Sequence, residues 1–349
     1  MINGFTLSCP MPPLDFDVIT LGHGSGGALT NQLLDSGVFT LLDNEFLHSR
    51  HDGAILDLSG KTAFTTDSFV ISPIFFPGGN IGDLAVNGTI NDLAMCGAKP
   101  RYISLGFILE EGLPVEELWE IIYTIKKATE NAGVQVVTGD TKVVEKGKGD
   151  RIFVNTTGIG TVHPGAEIDA GRVTEGDAVI VSGTIANHGI AIMSQREGLS
   201  FETEVQSDTR SLASIIMKLL DEFGPEIHLL RDPTRGGVAT VLNEIARQAK
   251  VGIEINENNI PIVPQVHGAC EMLGLEPLYV ANEGIFVGFV DAAHATDVVE
   301  LLHGLPGSED ACIIGRVVDQ HAGQVVMQSA IGGRRIIQML PGEQLPRIC

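Results

Sequence analysis

The chain has 349 residues and carries 44 acidic against 22 basic side chains, a formal net charge of −22. No window is dominated by Lys and Arg, so duplex nucleic acid and anionic membrane are excluded as partners, although phosphates stay within reach through a divalent cation. The length suggests two domains of about 150 residues each, and 44% apolar residues with a mean hydropathy of +0.20 exclude an intrinsically disordered chain.

Residues 1–16 hold three prolines and read as a loose arm. From Asp17 the pattern is regular. The β-branched and aromatic run 62–70 predicts a strand, 80–97 a helix, 101–109 a strand, 114–131 a helix with Pro114 in its first turn, and 134–138 and 151–162 two strands. The polar stretch 163–176 is the linker candidate. Beyond it come strand 178–182, helices 188–197, 209–222 and 237–250, strand 251–255, helix 264–273, strand 284–290, helix 292–303 and strand 311–318. Two α/β domains of similar size follow, 17–165 and 166–340, with an extended tail over 341–349. The five cysteines have no CxxC spacing, which signals neither a zinc site nor a disulfide framework. With no run of 18 apolar residues and no signal-like start, a soluble cytoplasmic protein is expected.

Glycine is in excess, 42 residues or about 12% against a usual 7%. Some of it sits in Gly22-His23-Gly24-Ser25-Gly26-Gly27, a GxGxxG pattern after an apolar segment. Three readings stay open for it: a phosphate-binding loop, a dinucleotide fold with Asp43 as the ribose acid, or a plain turn. Asp52, Asp67, Asp83, Asp92, Asp140 and Asp232 lie beside or inside apolar runs, where a carboxylate is costly unless neutralised. A Mg-nucleotide site would neutralise several; a helix cap or turn explains any single one. Lys142, after Gly139-Asp140-Thr141, offers charge to a phosphate or merely faces solvent. Glu283 in Ala-Asn-Glu-Gly is a candidate general base or a strand-entry turn, and His188 reads as a structural residue at a helix start. Cys349 is a potential carrier thiol or an accident of the terminus; Arg347 favours its thiolate while the terminal carboxylate opposes it.

Longer motifs settle on one resemblance. HGSGG (23–27), FTTDSFVISPIFFPGGNIG (64–82), NDLAMCGAKP (91–100), GFILEEGLP (106–114), VTGDTKVVEKGKGD (137–150), RDPTRGGV (231–238), ANEG (281–284) and the terminal PRIC resemble the HypE hydrogenase maturation factors of the AIR synthetase-like superfamily. The resemblance runs from about Asp17 to Cys349. It implies a two-domain mixed α/β enzyme whose N-terminal domain binds ATP and forms a homodimer through its sheet. The implied activity is ATP-dependent dehydration of an S-carboxamide on Cys349 to a thiocyanate, the source of cyanide for the [NiFe] hydrogenase iron. A carbamoyltransferase, HypF, would load the cysteine, and a HypC and HypD scaffold would receive the cyanide. By the same resemblance Asp52, Asp67, Asp92 and Asp232 hold Mg2+ and ATP, with Asp83 and Asp140 nearby; His23, Gly24, Gly26, Gly27 and Asn91 contact the nucleotide. Glu283 removes the amide proton, and Lys142 steadies developing phosphate charge.

Three competing functions remain on the sequence alone: a superfamily relative acting on a free small molecule, an NAD-dependent dehydrogenase built on the glycine loop, and a non-catalytic scaffold.

Overall fold

The protein is represented by a computed structural model, which describes residues 7–11, 14–48, 53–198, 204–339, 345 and 347–349. Asp52 lies outside the described residues.

The first half is built on a four-stranded sheet of β1 (Thr62–Phe69), β2 (Ala98–Glu110), β3 (Gln135–Val144) and β4 (Ile152–Val162), ordered β1-β4-β2-β3. Only β2 and β3 run parallel, joined by the crossover helix α2 (Val115–Ala132). Helix α1 (Ile81–Met95) and α2 cover one sheet face. In α2 the buried Val115, Leu118, Ile121, Ile122 and Ile125 recur at helical spacing, and Glu116 and Glu117 favour its positive N-terminal end. The opposite sheet face is open, with Phe64 68% and Ile108 45% exposed.

The second half is a seven-stranded sheet of β5 (Ala178–Val181), β6 (Ile227–Arg231), β7 (Gly252–Asn256), β8 (Val287–Val290), β9 (Cys312–Val318), β10 (Val325–Gln328) and β11 (Arg334–Ile337), ordered β11-β10-β7-β9-β5-β8-β6. Helices α3 (Asn187–Arg196), α4 (Ala213–Phe223), α5 (Gly237–Ala249), α6 (Pro264–Leu273) and α7 (Ala295–His303) connect these strands. All four side chains of β5 and of β8 are buried, which explains their unbroken apolar runs. Among the described residues no helix is long and apolar enough to cross a membrane.

Three expectations change. The arm is not loose where it is described: Ser8 N donates to Glu120 Oε2 at 2.8 Å, Trp119 Nε1 donates to the Cys9 carbonyl at 3.3 Å, and Leu7 and Met11 pack on the core. Strands β6, β10 and β11 escape the sequence reading. At five residues, with His228 and Arg231 among three apolar side chains, β6 is too short to show a period of its own, and β11 is a sheet edge with three of four residues exposed. Finally, no strand precedes the glycine loop among the described residues. Val18 makes only an isolated bridge and Leu21–Gly24 forms a 3-10 turn, so the dinucleotide fold, which needs a strand there, is overturned.

Candidate active site

Alternation along β1 puts Ala63, Thr65, Asp67 and Phe69 on the face covered by α1. The helix lies so close that a Cβ on Gly88 would stand 2.8 Å from Phe69 Cζ, and glycine removes that clash. Asp67 and Asp92 thereby meet between strand and helix. Thr65 Oγ1 donates to Asp92 Oδ2 at 2.8 Å, and Ser68 N donates to Asp67 Oδ1 at 2.7 Å. Asp232 follows β6 directly and joins Asp92 in lining a cavity of about 800 Å3 between the two sheets.

Burial pushes all three carboxyls above the usual range. For Asp232 burial comes first and Asp92 second, raising its pKa to about 7. Asp92 is raised by burial and by Asp67, against the Thr65 bond and the charges of Arg231 and Arg235. Asp67 is raised by burial and lowered by the Ser68 bond and Arg235. Three acids that repel each other's charge are a donor set suited to a cation.

Glu283, in the loop before β8, is 4% exposed, and its Oε1 has no hydrogen-bond partner among the described residues. Its backbone is held firmly. Glu283 N and Gly284 N donate to the Asp208 carboxylate at 3.1 and 3.0 Å, and Asn91 Nδ2 donates to the Glu283 carbonyl at 3.2 Å. Its Oε2 lies 4.0 Å from where a Gly88 side chain would begin. Burial, then Asp208, Asp232, Asp67 and Asp92, raise the Glu283 pKa well above the carboxylate range.

The last residues return to the end of β1, beside Glu283. Val70 N donates to the terminal carboxylate of Cys349 and Ser72 N to the Arg347 carbonyl, both at 3.3 Å, while Ile348 is buried. Burial pushes the Cys349 thiol far up, Glu283 adds to this, Arg235 opposes it, and Asp67 and Asp232 contribute less. The sulfur, Glu283, two aspartates and Arg235 therefore share one electrostatic neighbourhood. Arg347 and the terminal carboxylate, weighed in the sequence, matter less to the thiol than burial does.

A second group forms on the other side of the same sheet. Asp140 and Lys142 alternate onto its open face, opposite Gly106 and Ile108 of β2. Lys142 Nζ and Asp140 Oδ1 pair at 2.6 Å, and this bond lowers the Asp140 pKa. The glycine loop packs on this strand: a Cβ on Gly24 would stand 2.5 Å from Val143 N. Gly24, Gly26, Gly139, Asp140, Thr141 and Lys142 rim a cavity of about 190 Å3 at the β3 edge, whose apolar floor includes Leu105 and Phe107 of the covered face.

The structure thus brings Cys349, Glu283, Asp67, Asp92 and Asp232 together, and separately Gly24, Gly26, Asp140 and Lys142. Gly27 is exposed beside the second group. Within one chain Lys142 does not reach Glu283, because it projects from the opposite sheet face. Asp83 stands apart from both groups. It accepts from Asn80 N at 2.7 Å as part of the α1 cap, nine residues or about 13 Å of helix from Asp92. His23 is turned inward, 1% exposed, with Nδ1 accepting from Thr20 N at 3.0 Å and its ring against Phe16. Asn91 spends its amide on the backbone of Arg210, Glu283 and Leu212, and so positions Glu283. Arg235 and Asp208 are functional neighbours that the sequence reading missed. Arg235 stood inside RDPTRGGV beside the chosen Asp232; nothing in the sequence around Asp208 marks it.

Two family models match the chain. The AIR synthase related protein N-terminal domain matches residues 50–162, and its C-terminal domain matches 174–328. A carbamoyl dehydratase HypE from Cupriavidus necator is 47% identical over 333 residues, covering 95% of each chain. A crystal structure of the hydrogenase maturation protein HypE in complex with ATP superposes with a TM-score of 0.91 at 46% identity, over 94% of this chain and 99% of that one. A chain from a HypE–HypF complex superposes at 0.78 with 44% identity, over 90% of this chain and 100% of that one. At such identity over nearly the whole length, the chain belongs to the HypE family of carbamoyl dehydratases, within the AIR synthase related proteins.

Proposed function

We propose that the protein is an ATP-dependent carbamoyl dehydratase whose substrate is carried on Cys349. In the net reaction the S-carboxamide loses its oxygen to phosphate and both amide protons, leaving an S-cyanide with ADP and phosphate. ATP supplies the phosphoryl group that turns the poor amide oxygen into a leaving group. The chain's residues bind, orient and take protons. The observation that carries the reading is the placement of a buried, unpartnered Glu283 carboxyl in the same neighbourhood as the terminal thiol. A high proton affinity suits a base that must accept an amide proton, and burial excludes the water that would hydrolyse the carboxamide.

Mg2+ fits the acids present. Among the described residues no three His, Cys, Asp or Glu side chains converge closely enough to cage a metal unaided. Mg2+, however, takes one or two carboxylates and completes its shell with phosphate oxygens and water. Asp67, Asp92 and Asp232, hard oxygen donors whose pKa values are raised chiefly by burial, would hold it, with Asp52 a further candidate from the sequence. It would neutralise nucleotide phosphates against a chain of this negative charge.

The second group, Gly24, Gly26, Gly27, Asp140 and Lys142, would serve phosphates at the β3 edge, with Asp140 and Lys142 projecting onto the open sheet face. Lys142 can act on the reacting phosphate only if that face is part of a complete site. A homodimer packed through the sheet supplies such a site, and the exposed Phe64 and Ile108 support it. In our reading residues 17–165 form the ATP-binding and dimerising domain, 166–340 the second domain, and 341–349 a carrier tail that flexes between stations. Two stations are supported by the raised thiol: docked, Cys349 is a poor nucleophile, so a HypF-type carbamoyltransferase would load it undocked. Delivery of cyanide to a HypC and HypD scaffold, in the cytoplasm, completes the proposal. The test is an intact mass: chain loaded with carbamoyl and given ATP should lose the mass of one water, and chain that keeps the carboxamide would refute the assignment.

A further inference from the structure

His188 is fully buried at the start of α3, yet the chemistry above does not use it. Its two ring nitrogens are both engaged, at 2.8 Å each: Nδ1 with Ser207 Oγ and Nε2 with the Ile348 carbonyl. A carbonyl only accepts, so Nε2 carries the proton and Nδ1 accepts from the Ser207 hydroxyl. The ring is fixed further by Phe76, edge-on at 5.6 Å. One helix length away, Arg196 closes the same helix over the tail. Its Nε donates to the Ser72 carbonyl at 2.6 Å, and its Nη2 donates to the Arg347 carbonyl. Arg347 in turn donates from Nε to the Val70 carbonyl at 3.1 Å and pairs with Asp150.

We propose that His188 and Arg196, at the two ends of α3, form a latch that docks the C-terminal tail by its main chain and so sets the Cys349 sulfur against Glu283. Both are positioning residues: neither touches the sulfur. The next residue along from Ser207 is Asp208, whose carboxylate holds Glu283 N and Gly284 N. A continuous path therefore runs from the Ile348 carbonyl through His188 and Ser207 to the backbone of the proposed base. Carrier and base are located from one frame, which matters because small misplacements of reacting groups cost large factors in rate.

The latch reads only carbonyl oxygens and is indifferent to what the sulfur carries. Free thiol, carboxamide and cyanide tails dock through the same bonds, so the cargo does not decide docking. The inference rests on Cys349 as carrier, but its first readout does not. Full-length protein with a free thiol is pulsed with iodoacetamide, and labelling of Cys349 is followed by mass spectrometry of the C-terminal peptide. His188→Leu and Arg196→Met should each label about tenfold faster or more, the effect of removing one or two buried hydrogen bonds from a docking equilibrium. His188→Gln, which keeps a donor, should recover part of the protection. In the second readout, protein loaded by its carbamoyltransferase and chased with ATP should lose water more slowly by a similar factor in the Leu and Met variants, while loading is as fast or faster. Labelling of Cys349 at the wild-type rate in folded variants overturns the latch. If His188→Leu does not fold, Arg196→Met, a partly exposed change, decides alone. Faster labelling with no carbamoyl adduct on Cys349 would uphold the latch and sink the carrier reading; an adduct on Cys349 with unmoved labelling would do the reverse.

Discussion

The two faces of the N-terminal sheet carry the same residue types under opposite conditions. On the covered face Asp67, Asp92 and Asp232 are partly shielded from water and Glu283 is buried, and burial lifts every one of their pKa values. On the open face Asp140 is exposed, paired with Lys142, and its pKa is lowered. A carboxylate does proton chemistry near neutrality only where its charged form is penalised. The covered face is thus suited to moving protons and attracting a cation, and the open face to presenting fixed charges to phosphate.

Breaking the covered face should have the largest effects. Cys349→Ala removes the carrier, and no carbamoyl adduct should appear by intact mass; an adduct at wild-type level would end the proposal. Glu283→Gln preserves shape and should slow water loss by roughly 10²–10⁴-fold, the usual contribution of a positioned base, with loading intact. A dehydration rate near wild type in single-turnover assays would remove Glu283 from the reaction. Lys142→Met tests the open face. A fall in water loss on the order of 10²-fold, with thermal stability changed by about 0.5 kcal/mol or less since the ion pair is exposed, would show that this face joins the chemistry. Unaltered turnover would confine the reaction to the covered face.

The smallest effect sharpens the comparison from outside both groups. Asp83 has a pKa raised from 3.8 to about 6 by burial at the α1 cap. The fold favours its protonated form, so its contribution is complete below about pH 4 and is lost as pH rises through 6. Asp83→Asn should remove that part of the pH dependence of Tm between those values and leave water loss unchanged. A variant that dehydrates poorly while keeping its Tm would return Asp83 to the active site.

Much of the fold was legible because the elements have clear periods: α2 is amphipathic, β1 alternates, and β5 and β8 are buried runs. The failures have physical causes. Edge strand β11 lacks a pattern because solvent covers most of it, and β6 is too short to show one. Of the site, the motifs marked the acids but not their faces. Register decides that Asp140 and Asp67 point to opposite sides, and register is a property of strand pairing that a linear motif does not display. Asn91 and Asp83 engage backbone, which the motifs do not display, because a polar residue at a helix looks the same whether it clamps backbone or faces a ligand. His188 and Asp208 act through partners 160 and 75 residues away in sequence, so their roles emerge only from the packed chain.

The most direct test of the central claim is a paired intact-mass chase of carbamoyl-loaded wild type and Glu283→Gln with ATP. The account predicts that the wild-type adduct loses the mass of one water while the variant retains its carboxamide over the same interval. Equal loss of water from both chains would contradict it.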